Sequence, residues 1–124
     1  MVQVDISQLT GECNTWRESL RQYRDEFGKD KVLLQHSVSN SLSKDQLQEV
    51  EHLHNQFHIQ LINIHDLKQS VKIHERTLTF EINSSEGLSE QTISNHENLF
   101  DQYQTLTQTL QDLRDEFSQF LSRT

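Results

Sequence analysis

The sequence contains no proline, no alanine, three glycines and one cysteine. The lack of proline and the few glycines exclude a collagen-like repeat. A single cysteine excludes a disulfide framework and a zinc cluster built from several cysteines. No apolar stretch is long enough to cross a bilayer, and residues 1–5 do not have the pattern of a signal peptide. We therefore expect a reducing, cytoplasmic environment.

The charge is mainly acidic, with 19 Asp and Glu against 11 Lys and Arg. Nucleic-acid grooves and anionic membrane surfaces require clustered Lys and Arg, so neither is an expected partner. Leu, Ile, Val and Phe exceed the share of roughly 20% below which disorder is expected. We expect one folded domain over residues 1–124, with residues 1–6 as a flexible N-terminus.

Apolar residues recur at alternating steps of four and three in three blocks, a pattern typical of helices with one buried face. The pattern predicts helices at about 7–39, 44–82 and 89–123. Ser43 and Gln46 have the spacing of a capping box, and Ser89 is a second candidate N-cap. Gly28 could end the first helix early, although the similar lengths of the three helices favour a continuous one.

Short links between long helices predict an all-α, antiparallel, up-down-up three-helix bundle with heptad-like packing. Residues equally distant from a turn then lie at the same level of the bundle. This rule places Asp30 level with His54, and both occupy positions that are otherwise apolar. Since an unpaired buried carboxylate would be unfavourable, we predict a hydrogen-bonded Asp30–His54 pair.

The same rule brings several possible metal ligands near the second turn. It places His74 beside His96 and puts Cys13 within about one helical turn of both. A thiolate, two imidazoles and a carboxylate from Glu75 or Glu97 would make a tetrahedral, zinc-type ligand set. The alternative is a buried thiol with two partly exposed imidazoles. We favour this alternative, and we therefore expect no cofactor.

A short motif on the second predicted helix runs from His65 to Lys68, with the sequence His-Asp-Leu-Lys. It resembles the His-x-Leu-Lys core of histidine-containing phosphotransfer domains and the corresponding box of sensor-kinase dimerisation helices. The resemblance covers four residues. It implies His65 as a phosphoacceptor and Lys68 as its charge partner, and the alternative is an ordinary surface histidine.

The third predicted helix carries an uncharged Gln- and Thr-rich segment. Such a surface loses less hydration on burial than a charged one, so it is a candidate face for a partner protein or a second copy. Its candidate residues are Gln104, Thr105, Gln108, Thr109 and Gln111. A thin three-helix core offers no small-molecule pocket, so we expect a non-enzymatic interaction or structural module. Phosphotransfer through His65 and metal binding are the alternatives.

Overall fold

The computed structural model describes residues 6–38 and 42–123. Three helices pack together in the order α1 (Ile6–Ser37), α2 (Lys44–Ile82) and α3 (Glu90–Ser122). No strand occurs within these two ranges, so the predicted all-α three-helix bundle is confirmed. The predicted helix limits agree to within two residues. The flexible N-terminus was predicted at residues 1–6, of which residues 1–5 lie outside the described chain.

The helix boundaries follow from local chemistry. Ser43 caps α2 by accepting from the backbone N–H of Gln46, and the Gln46 side chain accepts from the backbone N–H of Ser43. Ser89 caps α3 by accepting from the backbone N–H of Thr92. Helix α1 continues through Gly28, as the similar helix lengths suggested.

The turn between α2 and α3 is fixed by Glu81. Its carboxylate accepts hydrogen bonds from the Ser89 backbone N–H at 2.7 Å and from the Thr92 hydroxyl. These bonds lower the pKa of Glu81, because they stabilise the charged carboxylate. Gly87, at φ 72°, supplies the left-handed backbone conformation of this turn.

Aromatic side chains join all three helices at one level of the core. Phe57 on α2 contacts Phe27 and Phe117 edge-to-face, with ring centroids 5.3 and 5.2 Å apart. This is a preferred arrangement of aromatic rings and adds to the free energy gained from their burial. No helix in the described residues has an apolar segment suited to spanning a membrane.

The predicted Asp30–His54 hydrogen bond is wrong. Asp30 is buried, but its carboxylate accepts from Arg114 on α3, at 3.0 Å to Nε and 3.5 Å to Nη2. Arg114 also donates to Glu26 at 2.8 Å, while His54 is half-buried on α2. A guanidinium brings a permanent charge and several donors, which makes it the better partner for a buried carboxylate.

Candidate metal centre

Three potential metal ligands converge at one end of the bundle, each from a different helix. Cys13 comes from α1, His74 from α2 and His96 from α3, and all three are buried. Their ligand atoms lie within 4.8 Å of one another. His74 Nε2 is 2.9 Å from His96 Nδ1, and Cys13 Sγ is 3.9 Å from the same His96 nitrogen.

The bundle brings them together because each continues the buried face of its helix. Cys13 follows Leu9 at a spacing of four, and His74 follows Val71 at a spacing of three. A larger apolar residue at any of these positions would fill the same space. The chain instead places a thiol and two imidazoles there, which is a combination of soft and borderline ligands suited to transition metals.

The second nitrogen of His96 faces the opposite direction. His96 Nε2 is buried and has no hydrogen bond, and it lies 3.5 Å from the carboxylate of Glu12 on α1. Trp16 covers the His96 ring, with ring centroids 4.8 Å apart. This arrangement directs Nδ1 into the cluster and Nε2 towards a carboxylate, as in the carboxylate–histidine–metal relationship of many metal sites.

Burial sets the protonation of the cluster. It is the main cause that raises the pKa of the Cys13 thiol to about 12, and the nearby Glu75 and Glu12 carboxylates raise it further. Burial also lowers the pKa of His74, and the neighbouring His96 lowers it again. Cys13 is therefore a neutral thiol and His74 a neutral imidazole near pH 7. A metal would displace the thiol proton on binding.

The predicted carboxylate ligand is not part of this cluster. Glu75 pairs with Arg17, its Oε1 lying 2.6 Å from the Arg17 Nε, and Glu97 is exposed. Glu12 was not among the residues predicted from the sequence, although a signal was available. Glu12 immediately precedes Cys13, which places it on the flank of α1 beside the same part of α3.

The separations suit a metal ion of zinc size. Tetrahedral zinc with metal–nitrogen bonds of about 2.0 Å and a metal–sulfur bond of about 2.3 Å separates its ligand atoms by about 3.3–3.6 Å. The separations of 2.9 and 3.9 Å lie on either side of that range, and all three ligand atoms lie within 4.8 Å of one another. A bound ion would replace the hydrogen bond between His74 and His96.

The other residues singled out from the sequence lie elsewhere. His65 is exposed on α2, as a phosphoacceptor would need to be, and Lys68 is half-buried one turn later. Burial lowers the pKa of Lys68, and the nearby Arg24 and Lys72 lower it further. The phosphoacceptor assignment stays a prediction.

The Gln- and Thr-rich segment divides between two surroundings. Thr105 and Thr109 line a shallow groove between α2 and α3, together with Gln60 and Asn63. Gln104 is exposed, while Gln108 and Gln111 donate to Asp112 and Asp115 on their own helix.

Comparisons with protein-family models, with curated proteins and with solved structures gave no match. The case for a function therefore depends on the side chains of this chain alone.

Proposed function

We propose that the protein binds a divalent transition metal ion, with Zn²⁺ as the best fit, through Cys13, His74 and His96. The observation that carries the proposal is the convergence of three buried ligand atoms from three helices within 4.8 Å. His96 Nε2 faces the Glu12 carboxylate at 3.5 Å, which would hold the ring with Nδ1 towards a bound ion.

The ligand types favour zinc. One thiolate and two imidazoles match the nitrogen and sulfur ligands of zinc sites, while calcium and magnesium require oxygen ligands. The neutral state of His74 is the state that binds a metal. A site that depends on a reduced thiol suits a reducing compartment such as the cytoplasm. The proposal assigns binding and no reaction.

The test is a titration of the chelator-treated, untagged protein with Co²⁺, a spectroscopic substitute for Zn²⁺. We expect one Co²⁺ per chain, a thiolate-to-cobalt charge-transfer band and visible bands of tetrahedral intensity. Zn²⁺ should displace the cobalt and abolish the bands. Cys13→Ser should remove the charge-transfer band, and His74→Gln and His96→Gln should each weaken binding strongly.

The matched control is His65→Gln, because His65 is exposed on α2 and is not part of the cluster. This variant should bind Co²⁺ as the unaltered protein does. Absent bands, or equal losses in His65→Gln and His96→Gln, would contradict the proposal. Cys13, His74 and His96 would then form a hydrogen-bonded core triad.

A second candidate function is self-association through the outer face of α2. Ile73 and Phe80 are 60% and 76% exposed, and their spacing of seven puts them on one face of the helix. Ile62 extends the same face at 49% exposure. An apolar row on the solvent side of a helix is a feature of interfaces, and a second copy can present the same row.

Light scattering across a range of protein concentrations tests this second candidate. We expect a dimer that becomes a monomer in the double variant Ile73→Ser/Phe80→Ser. The control is Gln119→Ser, on the exposed surface of α3 and outside the Gln- and Thr-rich segment. A monomer at all concentrations would contradict self-association, whatever the outcome of the metal titration.

A further inference from the structure

The candidate metal site is covered by Trp16 on one side and borders a surface groove on the other. This difference determines where a ligand from solvent could reach the metal. The following inference depends on the proposed metal binding. Within the described residues, only Cys13, His74 and His96 form a group with the spacing of metal ligands. Zinc with three protein ligands normally completes its coordination with water or another external ligand.

The two nearest carboxylates are held away from the fourth position. Glu75 Oε1 lies 2.6 Å from the Arg17 guanidinium. Glu12 lies beside His96 Nε2, on the side of the ring opposite the nitrogen that faces the cluster. Recruiting Glu75 would leave Arg17 without its ion pair, and recruiting Glu12 would require it to pass around the imidazole. Neither completes the site without rearrangement.

The side of the cluster that faces α1 is closed. Trp16 covers the His96 ring at 4.8 Å, and it also stacks on Tyr103 at 5.8 Å. Trp16 and Cys13 are both almost fully buried. A ligand from solvent therefore does not approach between α1 and α3 at this level.

On the side that faces α2 and α3, one ligand residue borders a surface groove. A surface groove runs between these helices, and His74 forms part of its wall. The other polar residues of the lining are uncharged: Ser70, Thr77, Asn95, Asn98 and Gln102. Their hydroxyl and amide groups offer both donors and acceptors, so they suit a small polar molecule better than a strongly charged one.

We infer that the metal keeps one exchangeable coordination position facing the α2/α3 groove. In the metal-loaded protein water would occupy it, and a small nitrogen, oxygen or sulfur donor that hydrogen-bonds to the amide-lined groove would replace the water. The protein would thus be a metal-dependent binding site for a small ligand.

The experiment adds imidazole, and separately azide, to the Co²⁺-loaded protein and follows the visible bands. We expect a saturable shift of these bands while the thiolate-to-cobalt band persists. Asn98→Phe places a large side chain in the groove and should weaken imidazole binding at least tenfold without loss of the cobalt. Gln104→Phe adds the same bulk on the exposed surface of α3 and should leave imidazole binding unchanged.

The outcomes separate the two proposals. Failure to bind Co²⁺ at all would overturn the metal site itself. Stoichiometric Co²⁺ with bands that imidazole and azide leave unchanged would overturn the exchangeable position, because a protein group would then complete the coordination. A shift that is equal in Asn98→Phe and in the unaltered protein would overturn the assignment to the groove.

Discussion

Arg114 on α3 pairs with two carboxylates of α1, towards the end of the bundle away from the candidate metal centre. Its guanidinium forms ion pairs with Asp30, whose side chain is 8% exposed, and with Glu26, whose side chain is 34% exposed. The two carboxylates have the same charge but different access to water. Removal of the arginine therefore affects them unequally.

We predict that Arg114→Met lowers the free energy of unfolding by about 1–3 kcal/mol, because it leaves the buried Asp30 carboxylate without its partner. Glu26→Gln should change it by less than about 1 kcal/mol, since this partly exposed ion pair is screened by solvent. Urea unfolding measures both. The double variant Asp30→Asn/Arg114→Met should be more stable than Arg114→Met, and equal losses in the two single variants would contradict this account.

Glu12 would position His96 in the candidate metal centre. With a metal on His96 Nδ1, the Nε2–H would donate to the Glu12 carboxylate 3.5 Å away. We predict that Glu12→Gln weakens Co²⁺ binding by about 10–100-fold and leaves the thiolate-to-cobalt band in place. The urea midpoint of the metal-free variant should stay unchanged. A change in that midpoint with unaltered Co²⁺ affinity would show a purely structural role.

The sequence predicts the level of a residue along the bundle better than it predicts the reach of its side chain. Levels along the bundle follow from distance to a turn, so the proximity of Cys13, His74 and His96 could be predicted. Levels do not give the reach of a long flanking side chain. For this reason the partner of Asp30 was predicted as His54 and is in fact Arg114. The position of Glu12 beside His96 was missed for the same reason.

At the scale of the helix, Gly28 and Gly87 form a natural pair for comparison. Gly28 lies inside α1, where an added Cβ meets no atom within 4 Å, whereas Gly87 has φ +72°. We predict that Gly28→Ala stabilises the protein by about 0.5–1 kcal/mol, through a lower entropy of the unfolded chain and higher helix propensity.

Gly87→Ala should be destabilising instead, by about 1–2 kcal/mol, because other residues rarely adopt that backbone conformation. Urea unfolding distinguishes the two variants. A loss of stability in Gly28→Ala would show that α1 is interrupted at this position, contrary to its continuous course from Ile6 to Ser37.

The turn between α2 and α3 provides a pH-dependent contact. The pKa of Glu81 lies below its ordinary value of 4.5 in the folded protein. Its contribution to stability is therefore fully present above that value and is lost as the pH falls through the lower, folded-state pKa. We predict that Glu81→Gln makes the urea midpoint less dependent on pH below about 4.5.

The matched control for this prediction is Glu86→Gln, an exposed residue of the same turn. Its pH profile should follow that of the unaltered protein. Parallel profiles for Glu81→Gln and the unaltered protein would contradict a role for the carboxylate in holding the turn.

At the scale of the whole molecule, the candidate metal centre joins three helices whose contributing residues are far apart in sequence. A metal that binds only the folded chain stabilises it by about 2.7 kcal/mol at a free concentration one hundred times its dissociation constant. We predict that Zn²⁺ raises the free energy of unfolding by this amount, as measured by urea unfolding. In Cys13→Ser the free energy of unfolding should rise much less, and an equal rise in both proteins would indicate that Zn²⁺ binds elsewhere.

The three-helix architecture could be predicted because spacing, caps and turns all favour the same arrangement. The face proposed for self-association could not be predicted, because Ile73 and Phe80 lie outside the buried pattern and nothing in the periodicity marks them as a pair. Periodicity identifies the residues that a bundle buries. It gives no information about those that a second molecule would cover.

The position of Trp16 has a practical consequence. It is the single tryptophan of the chain, and its indole lies against the His96 imidazole at a tilt of 34°. The intrinsic fluorescence of the unlabelled protein therefore reports on the surroundings of one ligand residue. Stopped-flow mixing would give the rates at which a metal ion binds and dissociates from that emission alone, without any introduced dye or tag.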